Sequence, residues 1–271
     1  MRLAIRHTTR YTFEEPVVHA LQRLRLTPKS TQGQKILSWD MTFENAKCEL
    51  EYEDQHHNTV SFVAVDQGAR DVLVQCEGMV DTEDNLGVIG SHSGHLPLWS
   101  FLGQTKLTRP GEKVRGLLEG LECPEDGKLD FLHALSKQIA DQVDYRIGET
   151  QVHTTAEESA AQGSGVCQDH AHIFIGAARA HNIPARYVSG YLMMNDRIEQ
   201  EATHAWAEAH IDGLGWVGFD ISNRISPDPR YIRVATGLDY RDAAPVTGIS
   251  FGGSSSSLRV DVAVEQQQAE Q

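Results

Sequence analysis

Cys167 is the first residue of this sequence that could act as a nucleophile. The stretch from residue 163 to residue 184 reads Gly-Ser-Gly-Val-Cys-Gln-Asp-His-Ala-His, then an apolar run, then His-Asn-Ile-Pro. Its glycines and Ser164, a favourable N-cap, predict a sharp turn that feeds a helix over 166–180. Asn182 and Pro184 predict the end of that helix. Outward N–H groups and the helix dipole would favour a thiolate at Cys167, although a free cysteine is equally often a small core residue.

A second chemical group lies downstream, in a segment with strand periodicity. His204, Trp206, Glu208 and His210 alternate with small or apolar residues, and Asp-Gly-Leu-Gly follows as a turn. A hairpin centred on residue 212 places His204 opposite Asp220, and a turn centred one residue later makes them diagonal neighbours. Either register keeps the imidazole and the carboxylate within reach of each other.

Thiol, imidazole and carboxylate together could perform nucleophilic catalysis. A thiol needs a base, and the base needs a carboxylate that fixes its tautomer and stabilises the imidazolium. Taken singly, His204 could be an ordinary strand histidine and Asp220 a strand-end cap. A cysteine at a helix start combined with this hairpin is much less expected by chance, so the sequence favours a Cys-His-Asp site.

Five segments resemble the bacterial transglutaminase-like family, of the papain-like Cys-His-Asp superfamily. They are Gly-Val-Cys-Gln-Asp (165–169), Ala-His (171–172), Ile-Pro-Ala-Arg-Tyr-Val-Ser-Gly-Tyr (183–191), His-Ala-Trp-Ala-Glu (204–208) and Gly-Trp-Val-Gly-Phe-Asp (215–220). The resemblance covers about residues 120–250, and the β-rich N-terminal part also looks like the domain that precedes this core in such proteins. By resemblance, Cys167 is the nucleophile, His204 the base and Asp220 the orienting acid. After Asp220 the chain reads Ile-Ser-Asn where the family usually has Pro-Thr-Asn.

The predicted reaction is acyl transfer on a peptide or carboxamide bond through a thioester. The backbone N–H of Cys167 and the hydroxyl of Tyr145 are the candidate donors to the oxyanion. Trp206, Asp169 and His170 are further candidates for the cleft, with Asp169 more typical of a helix-start acid. Hydrolysis, as in a peptidase or amidase, is favoured over transfer to an amine co-substrate, because amine capture needs a second binding site. No cofactor is expected.

Two other classes of function are open. A metal-dependent hydrolase could use Cys167, His170, His172, His204, His210 or Asp220, but the HExxH and paired CxxC motifs are absent. His204 and His210 are also about 20 Å apart along a strand, at ~3.3 Å per residue. A peptide-binding module without turnover would have no need of all three groups. We therefore expect no metal and a peptide or protein substrate.

Composition narrows the partners and the compartment. The net charge of −14 argues against nucleic acid and against an anionic membrane. Four cysteines without CxxC spacing, one of them a candidate nucleophile, argue against a disulfide framework. With neither a signal-like N-terminus nor an apolar stretch near ~18 residues, we expect a cytoplasmic protein. The sequence does not predict the oligomeric state.

The surrounding elements indicate an α+β protein with an N-terminal antiparallel β-sandwich and a papain/transglutaminase-like core. Short alternating runs fill residues 1–80, and residues 81–125 read as a connector with short helices. An amphipathic helix from Leu129 and a capping box at Thr155 and Glu158 precede the thiol. We predict domains at 1–110 and 111–271, strands at 185–194, 231–235 and 258–264, and a surface loop at 252–257.

Overall fold

The N-terminal region folds as two antiparallel sheets that face each other. In this computed structural model, which describes residues 1–195, 198–200, 202–251 and 256–267, β6 lies between β1 and β3, and β5 lies between β2 and β4. Apolar side chains from both sheets, among them Phe13, Leu24, Val63 and Val74, are buried between them. The predicted sandwich is therefore confirmed. Its strands are β1 (Arg2–Phe13), β2 (His19–Thr27), β3 (Gln34–Glu44), β4 (Ala46–Glu53), β5 (Thr59–Val65) and β6 (Asp71–Thr82).

A connector with little regular structure follows the sandwich, as the sequence predicts. It contains β7 (Val88–Gly90), a 3-10 helix (Leu98–Leu102), α1 (Glu112–Gly116) and a second 3-10 helix (Glu125–Gly127). The short strand β7 joins the edge of the core sheet rather than the sandwich.

The core packs helices against a mostly antiparallel arrangement of strands. Its elements are α2 (Lys128–Gln142), β8 (Asp144–Tyr145), α3 (Ala156–Gln162), β9 (Ser164–Gly165), α4 (Cys167–Ala180), β10 (Ala185–Leu192), β12 (His204–Ile211), β13 (Gly215–Phe219), β14 (Tyr231–Gly237) and α5 (Tyr240–Ala243). The short strand β11 (Glu199–Gln200) comes from the same part of the chain but joins the sandwich sheet, where it pairs with residues 262 and 263. The core sheet has the order β14-β10-β12-β13-β7, and β8 pairs in parallel with β9.

The last two strands return to the sandwich. β15 (Val246–Phe251) pairs with β2, and β16 (Ser256–Gln266) pairs along β1 from Leu3 to Phe13. These residues lie inside the predicted core range 111–271 but belong to the N-terminal sheets. The physical reason is that β1 and β2 otherwise leave edges open, and added strands satisfy their backbone N–H and C=O groups. Of the predicted loop at 252–257, residues 252–255 lie outside the described residues.

Helix ends follow local capping chemistry. Thr155 and Glu158 form the predicted capping box of α3, and Gly163 ends that helix with a left-handed φ of 72°. The predicted cap of α4 was wrong. Val166 occupies the N-cap position instead of Ser164, and the carboxylate of Asp169 accepts a hydrogen bond from its N–H. This arrangement leaves Cys167 as the first helical residue.

The thiol-bearing helix α4 is buried on almost every side. Apolar residues of α4, among them Ile173, Phe174 and Ala177, pack on Ala205, Ala207 and Ala209 of β12. Small residues on β12 allow a close approach of helix and sheet, which fixes the position of Cys167 relative to the strand. No described helix is long and apolar enough to cross a membrane.

Gly176 gives a test of this close packing. A Cβ built on Gly176 would lie 1.9 Å from the carbonyl oxygen of Thr108, whereas one on the helical Gly116 would meet nothing within 4 Å. We expect Gly176→Ala to lower the free energy of unfolding by about 1–3 kcal/mol, the usual cost of overpacking. Gly116→Ala should raise it by up to about 1 kcal/mol, because alanine is the better helix former. Urea denaturation of both variants measures the difference, and equal effects would contradict the packing described.

Candidate active site

Cys167 stands at the start of α4, where a short parallel ladder meets the helix. Asp144 N–H donates to the Gly163 carbonyl, and Arg146 N–H donates to the Gly165 carbonyl. These bonds hold the turn before the thiol rigidly against the end of α2. The side chain of Cys167 is only partly buried, so it can be reached from solvent.

His204 and Asp220 meet as the sequence predicts. The hairpin pairs Ala207 with Phe219, so its turn is centred on residue 213, and Asp220 follows the end of β13. His204 Nε2 lies 2.6 Å from Asp220 Oδ2. The other ring nitrogen, Nδ1, does not contact Asp220, and the charge of Cys167 acts on the ring as well as that of Asp220. The thiol and the carboxylate therefore both lie near the imidazole.

The Asp220 carboxylate is fully buried and held by several donors. Tyr231 donates its hydroxyl to Oδ2 at 2.7 Å, and the Asn223 amide donates to the same oxygen at 2.7 Å. The Asn223 backbone N–H donates to Oδ1 at 3.1 Å. Sequence reasoning missed Tyr231 and gave Asn223 no role. An asparagine three residues after an aspartate in a turn is a usable signal for the second, whereas nothing local marks the first.

Protonation follows from this arrangement. Burial acts to lower the pKa of His204, but the negative charges of Asp220 and of the Cys167 thiolate outweigh it and raise the pKa to about 10. Burial acts to raise the pKa of Asp220, and the His204 cation with the hydrogen-bond donors lowers it below the ordinary value. An imidazolium at His204 beside an ionised Asp220 carboxylate is therefore the favoured state near neutral pH.

Aromatic rings enclose the imidazole. Trp206, buried, stacks on the His204 ring with centroids 6.1 Å apart, and Tyr231 contacts both rings. Trp206 thus lies beside the imidazole, as predicted for this cleft candidate. Exclusion of water on this side strengthens the electrostatic coupling of His204 with Asp220.

Asp169 does not line an open cleft. Its carboxylate is buried, and Oδ2 accepts from Val166 N–H at 2.8 Å and from the Thr150 hydroxyl at 2.7 Å. Burial raises the pKa of Asp169 despite these donors. The prediction of a helix-start acid holds, and the candidacy for the cleft is corrected, because capping the helix turns the carboxylate inward.

His170 is also structural in its contacts. Its Nε2–H donates to the Val143 carbonyl at 3.0 Å, and its Nδ1 accepts from the Ser222 hydroxyl at 2.9 Å. Burial lowers its pKa, which keeps the ring neutral and suits one donor and one acceptor. His170 therefore ties the end of α2 to the loop that follows Asp220, and its predicted position in the cleft is corrected accordingly.

Tyr145 lies close to the thiol turn. It pairs with Gly165 in the β8–β9 ladder, its ring packs against His170 at 6.2 Å, and half of its surface is exposed. The backbone N–H of Cys167 occupies the first turn of α4, where it has no partner within the helix. Residue 145 and the N–H of Cys167 thus both lie at the turn that carries the thiol.

Other histidines named as possible metal ligands are dispersed. His172 is buried and its Nε2 accepts from the Tyr240 N–H, while His210 packs against Trp216. One group among the described residues could hold a metal ion, namely Glu53, His57 and His95, whose ligand atoms lie within 4.8 Å of one another. His57 Nδ1 already contacts Glu53, and its Nε2 accepts from the His95 N–H, so an ion would have to displace one of these bonds. This group is separate from Cys167.

Two family models match the chain. The profile of the transglutaminase-like superfamily matches residues 115–221, and that of the bacterial transglutaminase-like N-terminal region matches residues 3–81. The two regions occur here in the same order as the sandwich and the core. The chain belongs to the transglutaminase-like family, in the bacterial form that carries this N-terminal domain.

Relatives extend over nearly the whole chain. Uncharacterised proteins of Mycobacterium tuberculosis (strain H37Rv) and Mycobacterium leprae are each 28% identical, the first covering 97% of this chain and 92% of its own length, the second 97% and 98%. A crystal structure from Cytophaga hutchinsonii, described as that of a proposed cysteine protease, has a TM-score of 0.76 at 24% identity and covers 100% of this chain and 92% of its own. At this identity the likeness shows the shared fold.

Thiol labelling tests the assembled site. We expect iodoacetamide at about pH 6 to label Cys167 faster than the other three cysteines, because the His204 cation stabilises the thiolate. Burial raises the pKa of Cys76 to about 12 and also raises that of Cys123, and Cys48 is a partly exposed control. The difference in labelling rate between Cys167 and the other cysteines should decrease as the pH rises through about 8.5, where ordinary thiols ionise. The difference should be absent in His204→Ala. Peptide mass mapping gives the rates, and equal labelling at pH 6 would contradict the ion pair.

Proposed function

We propose that the protein is an enzyme that transfers an acyl group from a peptide or carboxamide bond to its own thiol and then to water. The observation that supports this most directly is the His204 imidazole, which is bonded through Nε2 to a buried carboxylate and lies close enough to Cys167 for their charges to interact. A binding module on the same fold would not need a buried carboxylate with three donor groups to orient one histidine.

The chemistry follows from these positions. The Cys167 sulfur attacks the carbonyl carbon, and its proton is held on His204. When the C–N bond breaks, His204 gives that proton to the departing amine, which leaves a thioester on Cys167. His204 then takes a proton from water, the hydroxide attacks the thioester, and the acid departs as the thiol is restored. Asp220 stays ionised throughout and stabilises the imidazolium.

The oxyanion of each tetrahedral intermediate needs preorganised donors. We assign these roles to the backbone N–H of Cys167 and to the hydroxyl of Tyr145, whose strand β8 pairs with β9 just before the thiol. Tyr145 is half exposed, so a substrate can reach this side of the α4 N-terminus.

Water is the preferred acceptor in this proposal. Hydrolysis needs one small molecule that is always present, whereas transfer to an amine requires a second site that holds the amine in line with the thioester. The donor substrate is a peptide or protein in either case.

Activity assays with labelled water test the proposal. Purified protein is incubated in ¹⁸O-water with a library of peptides that contain glutamine and asparagine, with and without a primary amine. Mass spectrometry then gives the masses of the products. Hydrolysis adds ¹⁸O to the acyl product, whereas amine capture adds the amine mass. We expect Cys167→Ser and His204→Ala to abolish turnover, and Asp220→Asn to lower kcat by about 10³–10⁴, as wrong-tautomer variants do.

The control for these variants is Cys76→Ser, which removes a thiol buried in the sandwich core and should leave turnover unchanged if the fold persists. Turnover by the Cys167→Ser variant at the wild-type rate would contradict the proposal. Incorporation of the amine in preference to ¹⁸O would keep the thioester and replace the acceptor.

Tyr145→Phe tests the side-chain donor. Phenylalanine keeps the ring contact with His170 and removes only the hydroxyl. We expect kcat to fall by about 10²–10³ with little change in KM, the usual loss when one oxyanion donor is removed. Tyr52→Phe, an exposed tyrosine of β4, is the matched control. An unchanged kcat in Tyr145→Phe would leave the oxyanion to backbone donors alone.

A further inference from the structure

A cavity of about 670 Å³ lies away from the proposed active site. It is bounded by the segment around Lys29, the β4–β5 turn, the connector around His92 and the core strands β10, β13 and β14. On these strands Arg186 alternates with Ala185, whose side chain packs toward α4. The cavity therefore lies on the opposite face of the core sheet from α4, between the sheet and the sandwich. Neither Cys167 nor Asp220 lines it.

Three cationic side chains line this cavity, namely Lys29, Arg186 and Arg233. Both guanidinium groups share one fully buried carboxylate, Glu208. Arg186 Nε donates to Oε2 at 2.6 Å, Arg233 Nε donates to Oε1 at 2.7 Å, and Arg233 Nη2 donates to Oε2 at 3.2 Å. Glu53, exposed at the rim, is the one carboxylate among the lining residues. Local positive charge thus exceeds negative charge, in a chain whose net charge is −14.

The unused guanidinium donors face this space. Among the described residues, the two Nη atoms of Arg186 have no hydrogen-bond partner. Nη1 of Arg233 has none either, although Arg233 is only 8% exposed. Arg186 is held in place 3.8 Å above the Trp216 ring. Removing a guanidinium N–H from water without giving it an acceptor costs free energy. Guanidinium groups that are held in fixed positions are also preorganised to bind planar carboxylates or tetrahedral phosphates.

Lys29 supports the same conclusion. Its ammonium group donates to the carbonyls of His56 and His57 at the turn above the cavity. Burial, followed by repulsion from Arg233 and Arg186, lowers its pKa to about 8. Glu53 and Asp54 act in the opposite direction but do not outweigh burial and the two arginines, so an anion bound beside Lys29 would stabilise its charged form.

We propose that this cavity binds a small anionic molecule, whose carboxylate or phosphate group is held by Arg186 and Arg233 with Lys29 at the side. The volume is within the range of sites for small ligands, roughly 300–1,000 Å³, so the anionic group would anchor a larger molecule. The site is separate from the thiol chemistry. His204 and Glu208 lie on the same face of β12 but about 13 Å apart, at ~3.3 Å per residue.

Isothermal titration of the full chain with inorganic phosphate and with succinate, at constant ionic strength set by sodium chloride, tests this proposal. We expect saturable 1:1 binding of at least one probe. Arg186→Gln and Lys29→Gln should each weaken it tenfold or more, because each removes a charge-assisted contact. The matched controls are Arg115→Gln, an exposed arginine of α1, and Lys47→Gln, an exposed lysine of β4. They change the net charge equally and should leave affinity within twofold.

The outcomes separate the possible ligand classes. Phosphate binding alone assigns a phosphorylated compound, and succinate binding alone assigns a carboxylate. No saturable binding of either probe, or equal affinity in wild type and Lys29→Gln, would overturn the site and leave the two arginines as a structural clamp on Glu208. Thermal unfolding shows whether each variant is folded. Lys29 lies in an irregular segment, so Lys29→Gln should preserve the fold even if Arg186→Gln does not. Binding is measured without turnover, so its failure says nothing about the thiol chemistry.

Discussion

The buried carboxylate of Asp220 is the constraint on which the proposed active site depends. A charge in the protein interior is tolerated only when it is paired and hydrogen-bonded. Asp220 meets this condition through His204, Tyr231 and Asn223, which come from three different segments. The end of β13, the start of β12 and the start of β14 must therefore all be in place before the imidazole is oriented. The orientation of His204 therefore depends on the packing of the whole core sheet.

This charge arrangement has a pH window. Below an ordinary histidine pKa of ~6.5 the folded state gains fully from the raised pKa of His204, and the gain is lost as the pH rises toward about 10. Asp220 behaves oppositely, because its lowered pKa contributes stability above ~3.9 that is lost as the pH falls further. The ion pair of His204 and Asp220 thus stabilises the fold across neutral pH.

Sequence reasoning found the parts of the site that local chemistry marks. The thiol at a helix start, the alternating strand with His204 and the turn before Asp220 each follow from nearby residues, and the structure brings them together. It failed where position depends on the whole fold. Asp169 and His170 carry titratable groups beside the thiol, yet contacts with Thr150 and Ser222 turn both inward. Tyr231 is distant in sequence, and no periodicity shows its hydroxyl reaching Asp220.

The predicted division at residue 110 separates strands that pair with each other in the structure. Strand periodicity identified a strand near 258–264 but could not say which sheet it joins, because backbone pairing is independent of sequence order. β16 pairs with β1 along most of its length, so the two ends of the chain meet in one sheet. The N-terminal sandwich cannot complete its edges until the core has been traversed, which explains why a division at residue 110 splits the sequence but not the structure.

Strand β12 shows how one segment serves both halves of the molecule. Its small residues, Ala205, Ala207 and Ala209, face α4 and allow that helix to pack close to the sheet. Its larger polar residues lie on the other face. There His204 contacts Asp220, and Glu208 accepts hydrogen bonds from two arginines. Because side chains alternate at every residue, a shift of one residue in register would bury the ionic groups against α4 and expose the alanines. The charged face therefore specifies the register, and the register fixes the position of His204 at the start of the strand.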